Sequence, residues 1–463
     1  MDTDRSYEKL VQDETLIKRR PWYVLAAALF VLSALTHQPI AFLAALFALV
    51  IGLVPELWYR YALRHLVVRQ SLDQRRAFFG EPLTLSISVE NQKLLPLPWL
   101  EIEDEIPAQV TLLTGHASPS YKVNRALLVN AFSLWSFQRV TRRYRLRCLA
   151  RGVYTLGPAT LRSGDPFGWL VREQQVPARE TLLVYPLLAP ITAFGLPPRR
   201  PFGEQATPRR LLEDPLRFAG VRDYQITDDP RRIHWKASAR VGELRSKIYE
   251  SSTQYRLLLF LDVATYLEPW MGIDPEIQEL TISAAASIAM WGLDEGYAVG
   301  LVANSLLLPS GDEPSAQPDS ADPDTLTRSA TFLPRVRVPM ARDTWQRVRL
   351  LSAFGRLFPY LGTSIDTLIQ AERHSLPMGT TVVLVSAATV LCEVTIEQLL
   401  DLRRHGAAVH LALTGDPESR VAATTYDIPV HRLGGREVWH ELLTHLDHED
   451  PHPGRSASAL HLD

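Results

Sequence analysis

The chain has 463 residues, 46% hydrophobic and 22% charged, with a formal net charge of −2. That length exceeds one compact core, and the composition is that of a folded protein, so two or three domains are expected. The near-neutral balance excludes a globally basic, polyanion-binding surface. Only two cysteines occur, Cys148 and Cys392, without metal-ligand or redox spacing, which argues against a disulfide framework or a cysteine zinc site.

Residues 1–21 form a polar N-terminal segment ending in Lys18, Arg19 and Arg20. From Trp22 to Trp58 only Glu56 is charged. Two apolar runs, Trp22–Leu35 and Ile40–Val54, flank Thr36-His37-Gln38-Pro39, whose polar, proline-containing break predicts a tight turn between helices. Each run is near or below the about 20 residues that span a bilayer, so flanking residues must contribute or the membrane must thin. The pattern predicts a two-helix transmembrane hairpin over 22–58. Lys18, Arg19 and Arg20 precede it, Arg60, Arg64 and Arg69 follow it, and the turn carries no Lys or Arg. The positive-inside rule then puts both termini and the soluble domains in the cytoplasm, anchored to the inner membrane. Trp22, Tyr23, Trp58, Tyr59 and Tyr61 stand where an interfacial aromatic belt would lie. A cleaved signal peptide would not need the second run.

Residues 66–188 switch to period two. Leu83-Thr84-Leu85-Ser86-Ile87-Ser88-Val89 alternates cleanly as a half-buried strand. Further strands are expected at 100–103, 125–129, 139–148, 154–161 and 182–185, and short strands punctuated by Pro and Gly predict an antiparallel β-sandwich. Arg142, Arg143, Arg145, Arg147 and Arg151 make an arginine-rich strand and turn, and alternation puts some of them on a charged, solvent-facing sheet surface. Residues 189–217, rich in proline and basic residues, read as a linker.

An α/β domain is expected over 218–447. Arg256–Asp262 is a continuous apolar strand of the parallel, doubly buried kind. Helices near 276–293, 343–358, 364–373 and 396–405 alternate with strands 298–303, 381–386 and 408–413, which implies right-handed crossovers in a mostly parallel sheet. A flexible loop at 309–323 and a disordered tail at 448–463 complete the organisation. No glycine-rich phosphate loop is present, so ATP chemistry would belong to a partner.

The densest chemistry lies in Arg222-Asp223-Tyr224-Gln225-Ile226-Thr227-Asp228-Asp229-Pro230-Arg231-Arg232-Ile233-His234-Trp235-Lys236-Ala237-Ser238-Ala239-Arg240. Asp followed by Pro predicts a capped start to a short turn or helix. Ile233 and Trp235 would then be core, with Arg231, Arg232 and Arg240 pairing with carboxylates or reaching a partner. As an enzyme, a hydrolase for example, His234 would be a general base oriented by Asp228 or Asp229, with Lys236 stabilising an anion. On a strand His234 and Lys236 would share one face and Trp235 the other, so a structural clasp or docking surface is the preferred reading. From Arg199 to Lys247, 12 Lys and Arg stand against 7 Asp and Glu. That mild patch lacks aromatic stacking repeats and gives no reason to expect nucleic acid.

This motif resembles the signature of the bacterial domain-of-unknown-function 58 family. So do Leu97-Pro98-Trp99-Leu100 with Glu103-Asp104-Glu105-Ile106-Pro107, Arg151-Gly152-Val153-Tyr154-Thr155-Leu156-Gly157-Pro158, and Asp165-Pro166-Phe167-Gly168. The resemblance implies a von Willebrand factor A-like C-terminal half, and partnership with a MoxR-type AAA+ ATPase and with a transglutaminase-like membrane protein. It implies an adaptor or scaffold role, in envelope assembly or protein maturation, and no established activity or cofactor. Domains of that type hold a divalent cation with Asp-x-Ser-x-Ser after the first strand. Here Asp262-Val263-Ala264-Thr265-Tyr266 keeps the Asp but replaces both hydroxyls, and Ser386-Ala387-Ala388 stands where a later carboxylate is expected. Asp262 thus marks a degenerate metal position. The expected functional surface is Arg222, Tyr224, Asp228, Asp229, Arg231, Arg232, His234, Trp235, Lys236, Ser238 and Arg240, without catalysis.

Overall fold

A computed structural model describes residues 20–122, 124–177, 179–199, 201–202, 213–225, 228–251, 255–308, 335–361, 363–415 and 427–448. The loop expected at 309–323, the tail beyond His448 and the segment before Arg20 lie outside the described residues. The chain divides into two compact units, Met1–Val184 and Tyr185–Asp463.

The first unit opens with two apolar helices, α1 (Arg20–Thr36) and α2 (Pro39–Tyr61), separated by His37 and Gln38. Proline at the first position of α2 starts that helix without sacrificing a needed N–H. The helices touch along their length. Tyr23 Oη donates to Glu56 Oε2 at 2.5 Å, and Phe30 and Phe42 lie 5.4 Å apart. Arg60, one turn after Glu56, pairs with it at 2.5 Å, so the charge inside the apolar run is neutralised locally. At 23 residues α2 is long and apolar enough to cross a membrane, while α1 is apolar but shorter. Only 22% of the apolar window of α2 is buried, the opposite of a soluble core helix.

Twelve strands follow among the described residues: β1 (Leu66–Leu72), β2 (Arg76–Ala77), β3 (Pro82–Asn91), β4 (Leu97–Pro107), β5 (Val110–Leu112), β6 (Ser118–Pro119), β7 (Arg125–Leu134), β8 (Arg139–Cys148), β9 (Gly152–Leu156), β10 (Ala159–Gly164), β11 (Val171–Val176) and β12 (Glu180–Val184). They form sheets ordered β1-β3-β8-β5, β11-β10-β4-β7-β6 and β2-β12-β9. Alternation in β3 buries Leu83, Leu85, Ile87 and Val89, which meet Leu100, Ile102 and Ile106 of β4 and Leu128, Phe132 and Leu134 of β7 in one core. The expected strand 154–161 is divided in two, because the Gly157-Pro158 pair separates β9 from β10. The arginines of β8 are not simply a solvated face. Arg142 bonds Ala131 O at 2.6 Å and lies over the Phe132 ring, and Arg147 Nε donates to Gly80 O. One buried charge site escapes any pattern: Asp104 on β4 accepts from Gln70 Nε2, and burial raises its carboxyl to about 7.

In the second unit, Ile191, Phe194, Leu196 and Phe202 are buried, so much of the described part of the stretch read as a linker is packed. Strands β13 (Glu213–Asp223) and β14 (Arg245–Ser251) pair antiparallel. A six-stranded mixed sheet follows, ordered β18-β16-β15-β20-β21-β22, from β15 (Arg256–Leu261), β16 (Ala298–Ala303), β18 (Val336–Ala341), β20 (Thr381–Ala387), β21 (Ala408–Thr414) and β22 (Val430–Arg432). All its pairs are parallel except β16 with β18. A short pair, β17 (Ser305–Leu307) with β19 (Leu357–Leu361), stands apart.

The helices of this unit are α3 (Trp235–Val241), α4 (Pro275–Asp294), α5 (Gln346–Arg356), α6 (Ile365–Glu372), α7 (Glu393–Arg404) and α8 (Arg436–His448). Both faces of the sheet are covered. Leu258, Phe260, Val382 and Leu384 pack with Ile369 of α6 and with Ile396 and Leu399 of α7. On the other face Gly292 of α4 lies so close to Leu257 and Val299 that a Cβ would sit 2.8 and 3.0 Å from their methyls. A two-sided cover is why these strands read as unbroken apolar runs.

Candidate functional site

The signature residues lie on a compact turn between β13 and β14. Arg222 pairs across the ladder with Ser246 and Asp223 with Arg245. The chain then turns back: Asp228 N donates to Gln225 O at 2.8 Å, and Asp228 Oδ2 accepts from Gln225 N at 3.1 Å. Arg222 reaches Asp228 Oδ1 at 2.5 Å, and Tyr224 Oη donates to Asp228 O at 3.2 Å. The backbone N–H of Gln225 and then the Arg222 guanidinium hold the Asp228 carboxyl below its ordinary value.

Asp229 caps a 3-10 turn over Pro230–Arg232 by accepting from Arg231 N at 3.0 Å, as the Asp-Pro pair implied. Ile233 is buried and bridges Ser246. His234 then begins α3 as its N-cap, with Nδ1 accepting from Ala237 N at 3.1 Å. An accepting Nδ1 carries no proton, so the imidazole proton of this tautomer sits on Nε2. Ser238 is buried, donating to His234 O and accepting from Arg245 N at 2.9 Å. Gly242, at φ 80°, closes α3 with its N–H on Ser238 O.

Two sequence expectations are corrected here. Trp235 is not core: it is 69% exposed. Nor do His234 and Lys236 share a strand face, because the strand-like bridge ends at Ile233 and residues 235–241 are helical. Lys236, Arg240 and Arg231 are exposed as well, whereas Arg232 is half-buried. The turn thus gathers Asp228, Asp229, His234 and Ser238 into its own hydrogen bonding, and leaves one large aromatic and three cations on its surface. Arg245 adds an ion pair with Asp223.

Asp262 follows β15 at the carboxyl ends of the parallel strands, where ligands of open α/β sheets gather. It is buried, and both oxygens are engaged: Oδ1 accepts from Ala264 N at 3.0 Å and Asn304 Nδ2 at 2.7 Å, and Oδ2 from Ser386 Oγ at 3.4 Å. Burial raises its carboxyl to about 6, against the pull of these donors. Thr265 accepts from Asp274 N at 2.7 Å, and Thr281 meets Thr414 at 2.6 Å. Among the described residues no three His, Cys, Asp or Glu side chains gather as metal ligands. At the two hydroxyl positions after Asp262 the chain has Ala264 and Tyr266, and the Asp262 oxygens are taken up by Ala264 N, Asn304 Nδ2 and Ser386 Oγ, a donor set poorer than the several hard oxygens a divalent cation needs.

Asn304 is the partner that sequence reasoning missed. It follows the last residue of the apolar strand β16, 42 positions away, and only the parallel pairing of β15 with β16 brings it to Asp262. The pair His410 and His431 was missed for the same reason. Their ring nitrogens lie 3.3 Å apart on β21 and β22 under Phe202, and burial drives His410 down to about 4. Burial lowers His431 as well, and the two rings serve as packing partners.

The family model "Protein of unknown function DUF58" matches residues 220–313, a stretch that contains the whole turn and takes in β15, Asp262 and Asn304. Residues 220–313 are a DUF58 region. The chain is also similar to "Uncharacterized protein YeaD" of Bacillus subtilis, 24% identical over 241 residues. That match spans 52% of this chain and 56% of the relative, so the chain covers little more than half of the relative's length. Among solved structures, the CARDB domain of a Pyrococcus furiosus protein aligns at TM-score 0.19 and 14% identity, over 26% of this chain and 91% of that one. A cohesin module from a Clostridium perfringens family 33 glycoside hydrolase aligns at 0.19 and 11%, over 26% and 96%. Scores at this level identify no shared fold, and the DUF58 region itself carries no assigned activity.

Proposed function

We propose that this protein is a membrane-anchored adaptor that docks a MoxR-type AAA+ ATPase through its DUF58 region. On this reading α1 and α2 form a transmembrane hairpin in the inner membrane, with both termini cytoplasmic. The strands of the first unit form a β-sandwich, and the second unit is a von Willebrand factor A-like α/β module. A transglutaminase-like membrane protein is a second partner, and envelope assembly or protein maturation is the setting.

The observation that carries the proposal is the division of labour within the turn. Asp228, Asp229 and the Nδ1 of His234 serve the local fold, which disfavours an acid–base set drawn from the same groups. Trp235 is exposed, and so are Lys236 and Arg240 of the same short helix. A surface that exposes a tryptophan together with Lys and Arg has the composition of an interface anchor. The test is crosslinking of the full chain in its native membrane, followed by detergent solubilisation, pull-down and identification of partners by mass spectrometry. An AAA+ ATPase should be recovered, and should be lost on Trp235→Ala or Lys236→Ala but kept on Asp262→Asn. Recovery of no ATPase in any nucleotide state sinks the adaptor reading.

A further inference from the structure

The first unit has two ends, and they differ in chemistry. β1 begins at Leu66, directly after α2, and pairs Leu66 with Asn91 at the end of β3. Three loops therefore share the end at which α2 enters: 92–96 between β3 and β4, 135–138 between β7 and β8, and 165–170 between β10 and β11. The ladder confirms it, since Leu97 opposes Leu134 and Gly164 opposes Val171.

Each of these loops exposes large apolar side chains. Leu94 projects from the first, Trp135 and Phe137 from the second, and Phe167 and Trp169 from the third, every one more than half exposed. Phe167 and Trp169 stack at 4.9 Å. At the opposite end Leu113, Tyr121 and Leu149 are exposed, but Phe79 is buried and Phe78 half-buried, and no exposed tryptophan or phenylalanine is found there among the described residues. Five such side chains at one end of a folded unit form a patch that calls for a partner.

Hydrogen bonds fix the height of these loops relative to the last turn of α2. Trp58 Nε1 donates to Pro96 O at 3.0 Å. Lys93 Nζ caps the end of the helical stretch, donating to Ala62 O at 2.5 Å and Arg64 O at 2.8 Å. Asn91 Nδ2 ties the first two loops together through Leu95 O and Trp135 O, both at 3.0 Å. The third loop is held by Trp99 Nε1 on Asp165 O at 3.1 Å, and the strand after it by Arg172 on Arg60 O at 3.4 Å. A cleft of about 520 Å³ at this level is lined by Arg64, His65, Arg172 and Glu173 among others.

We infer that Leu94, Trp135, Phe137, Phe167 and Trp169 form a collar that inserts into the membrane interface around the exit of α2. The occupant of the patch is thus the lipid surface itself. The inference rests on the proposal that α2 crosses a bilayer, and the patch is continuous with that span. Trp and Phe favour the headgroup–acyl boundary, where an apolar face sinks by about 5–10 Å. Arg60, Arg64 and Arg172 would lie at headgroup height, the position in which cations meet anionic lipid. The collar would fix the first unit against the membrane at three points besides its tether.

The experiment uses the full chain reconstituted in vesicles of phosphatidylethanolamine and phosphatidylglycerol, with single reporter cysteines carrying an environment-sensitive fluorophore. Cys392→Ser removes one native thiol. Cys148 is buried, with its thiol pushed up to about 12, and stays unlabelled. Probes go to Phe137→Cys and Phe167→Cys in the collar, Val50→Cys in α2 and Tyr121→Cys at the far end, all exposed positions. Nitroxide-bearing lipid should remove most of the fluorescence at 50, 137 and 167 and none at 121. Quenching at 50 without quenching at 137 and 167 overturns the collar and leaves the anchor standing. No quenching at 50 overturns the anchor itself, and quenching at 121 overturns the assignment of the membrane-facing end.

Discussion

Asn304 grips Asp262 from two sides of its peptide: its Nδ2 donates to Asp262 Oδ1 at 2.7 Å, and its Oδ1 accepts from Val263 N at 2.9 Å. The position at which a cation would be sought is thus occupied by an amide that satisfies the carboxylate without neutralising it. The unmet cost appears as proton affinity, because a carboxyl raised to about 6 binds its proton more tightly in the folded chain than in the unfolded one.

A raised carboxyl value stabilises the fold at low pH and loses that contribution as pH rises from 3.8 to about 6. The loss attributable to Asp262 is about 3 kcal/mol, at 1.36 kcal/mol per pKa unit. Asp262→Asn keeps an acceptor for Ala264 and Asn304 and turns an NH2 toward Ser386 Oγ. It should remove this slope, and leave the urea midpoint of the detergent-solubilised protein at pH 8 equal to or above the parent's. A lower midpoint at pH 8 would mean that the negative charge itself is required there.

His234 separates a capping role from a catalytic one. Its Nδ1 accepts the Ala237 N–H, so His234→Ala should cost about 1 kcal/mol through the lost cap. His234→Asn offers an acceptor of similar reach and should recover most of it in thermal denaturation. A catalytic imidazole would not be replaced by an amide. Retained partner capture by the Asn variant together with restored stability supports the cap, whereas a stable but inactive Asn variant points to chemistry at Nε2.

The reason Trp235 was misplaced is physical. Ile233, His234 and Trp235 look like a strand of period two, and Ile233 does bridge Ser246. The period breaks one residue later, where His234 supplies a cap, a role its residue type rarely advertises. Asp229 was legible because Asp before Pro has few other uses, and the alternating strand β3 and the apolar strands β15 and β20 declared themselves by pattern. Asn304 and the His410–His431 pair depend on strand neighbours 42 and 21 positions apart, which no local window contains. The exposed loop aromatics carried no periodicity at all, and acquire meaning only from the end of the sheets they share.

Gly164 offers a test of the third loop. A Cβ there would lie 1.8 Å from Leu170 O and 3.1 Å from the Trp99 ring, and neither the backbone carbonyl nor the packed indole can yield cheaply. Gly164→Ala should destabilise the first unit by about 1–3 kcal/mol and displace the Asp165 turn that carries Phe167 and Trp169. Proteolysis within 165–170 should accelerate well beyond the global change. Unchanged cleavage and stability would show that the loop has slack the close contact denies.

Trp235 provides the sharpest separation between fold and function. Because it is exposed, its truncation should change stability by no more than about 0.5 kcal/mol. As an interface anchor, it should still weaken equilibrium binding of the ATPase at least tenfold, or about 1.4 kcal/mol. Lys236→Glu should weaken binding chiefly by slowing association at low ionic strength, and the difference from the parent should shrink as salt is added. Trp235→Ala should lose affinity at every salt concentration, because an apolar contact is not screened. If the tryptophan variant instead unfolds, the indole supports the turn, and the surface role passes to Arg231, Lys236 and Arg240 alone.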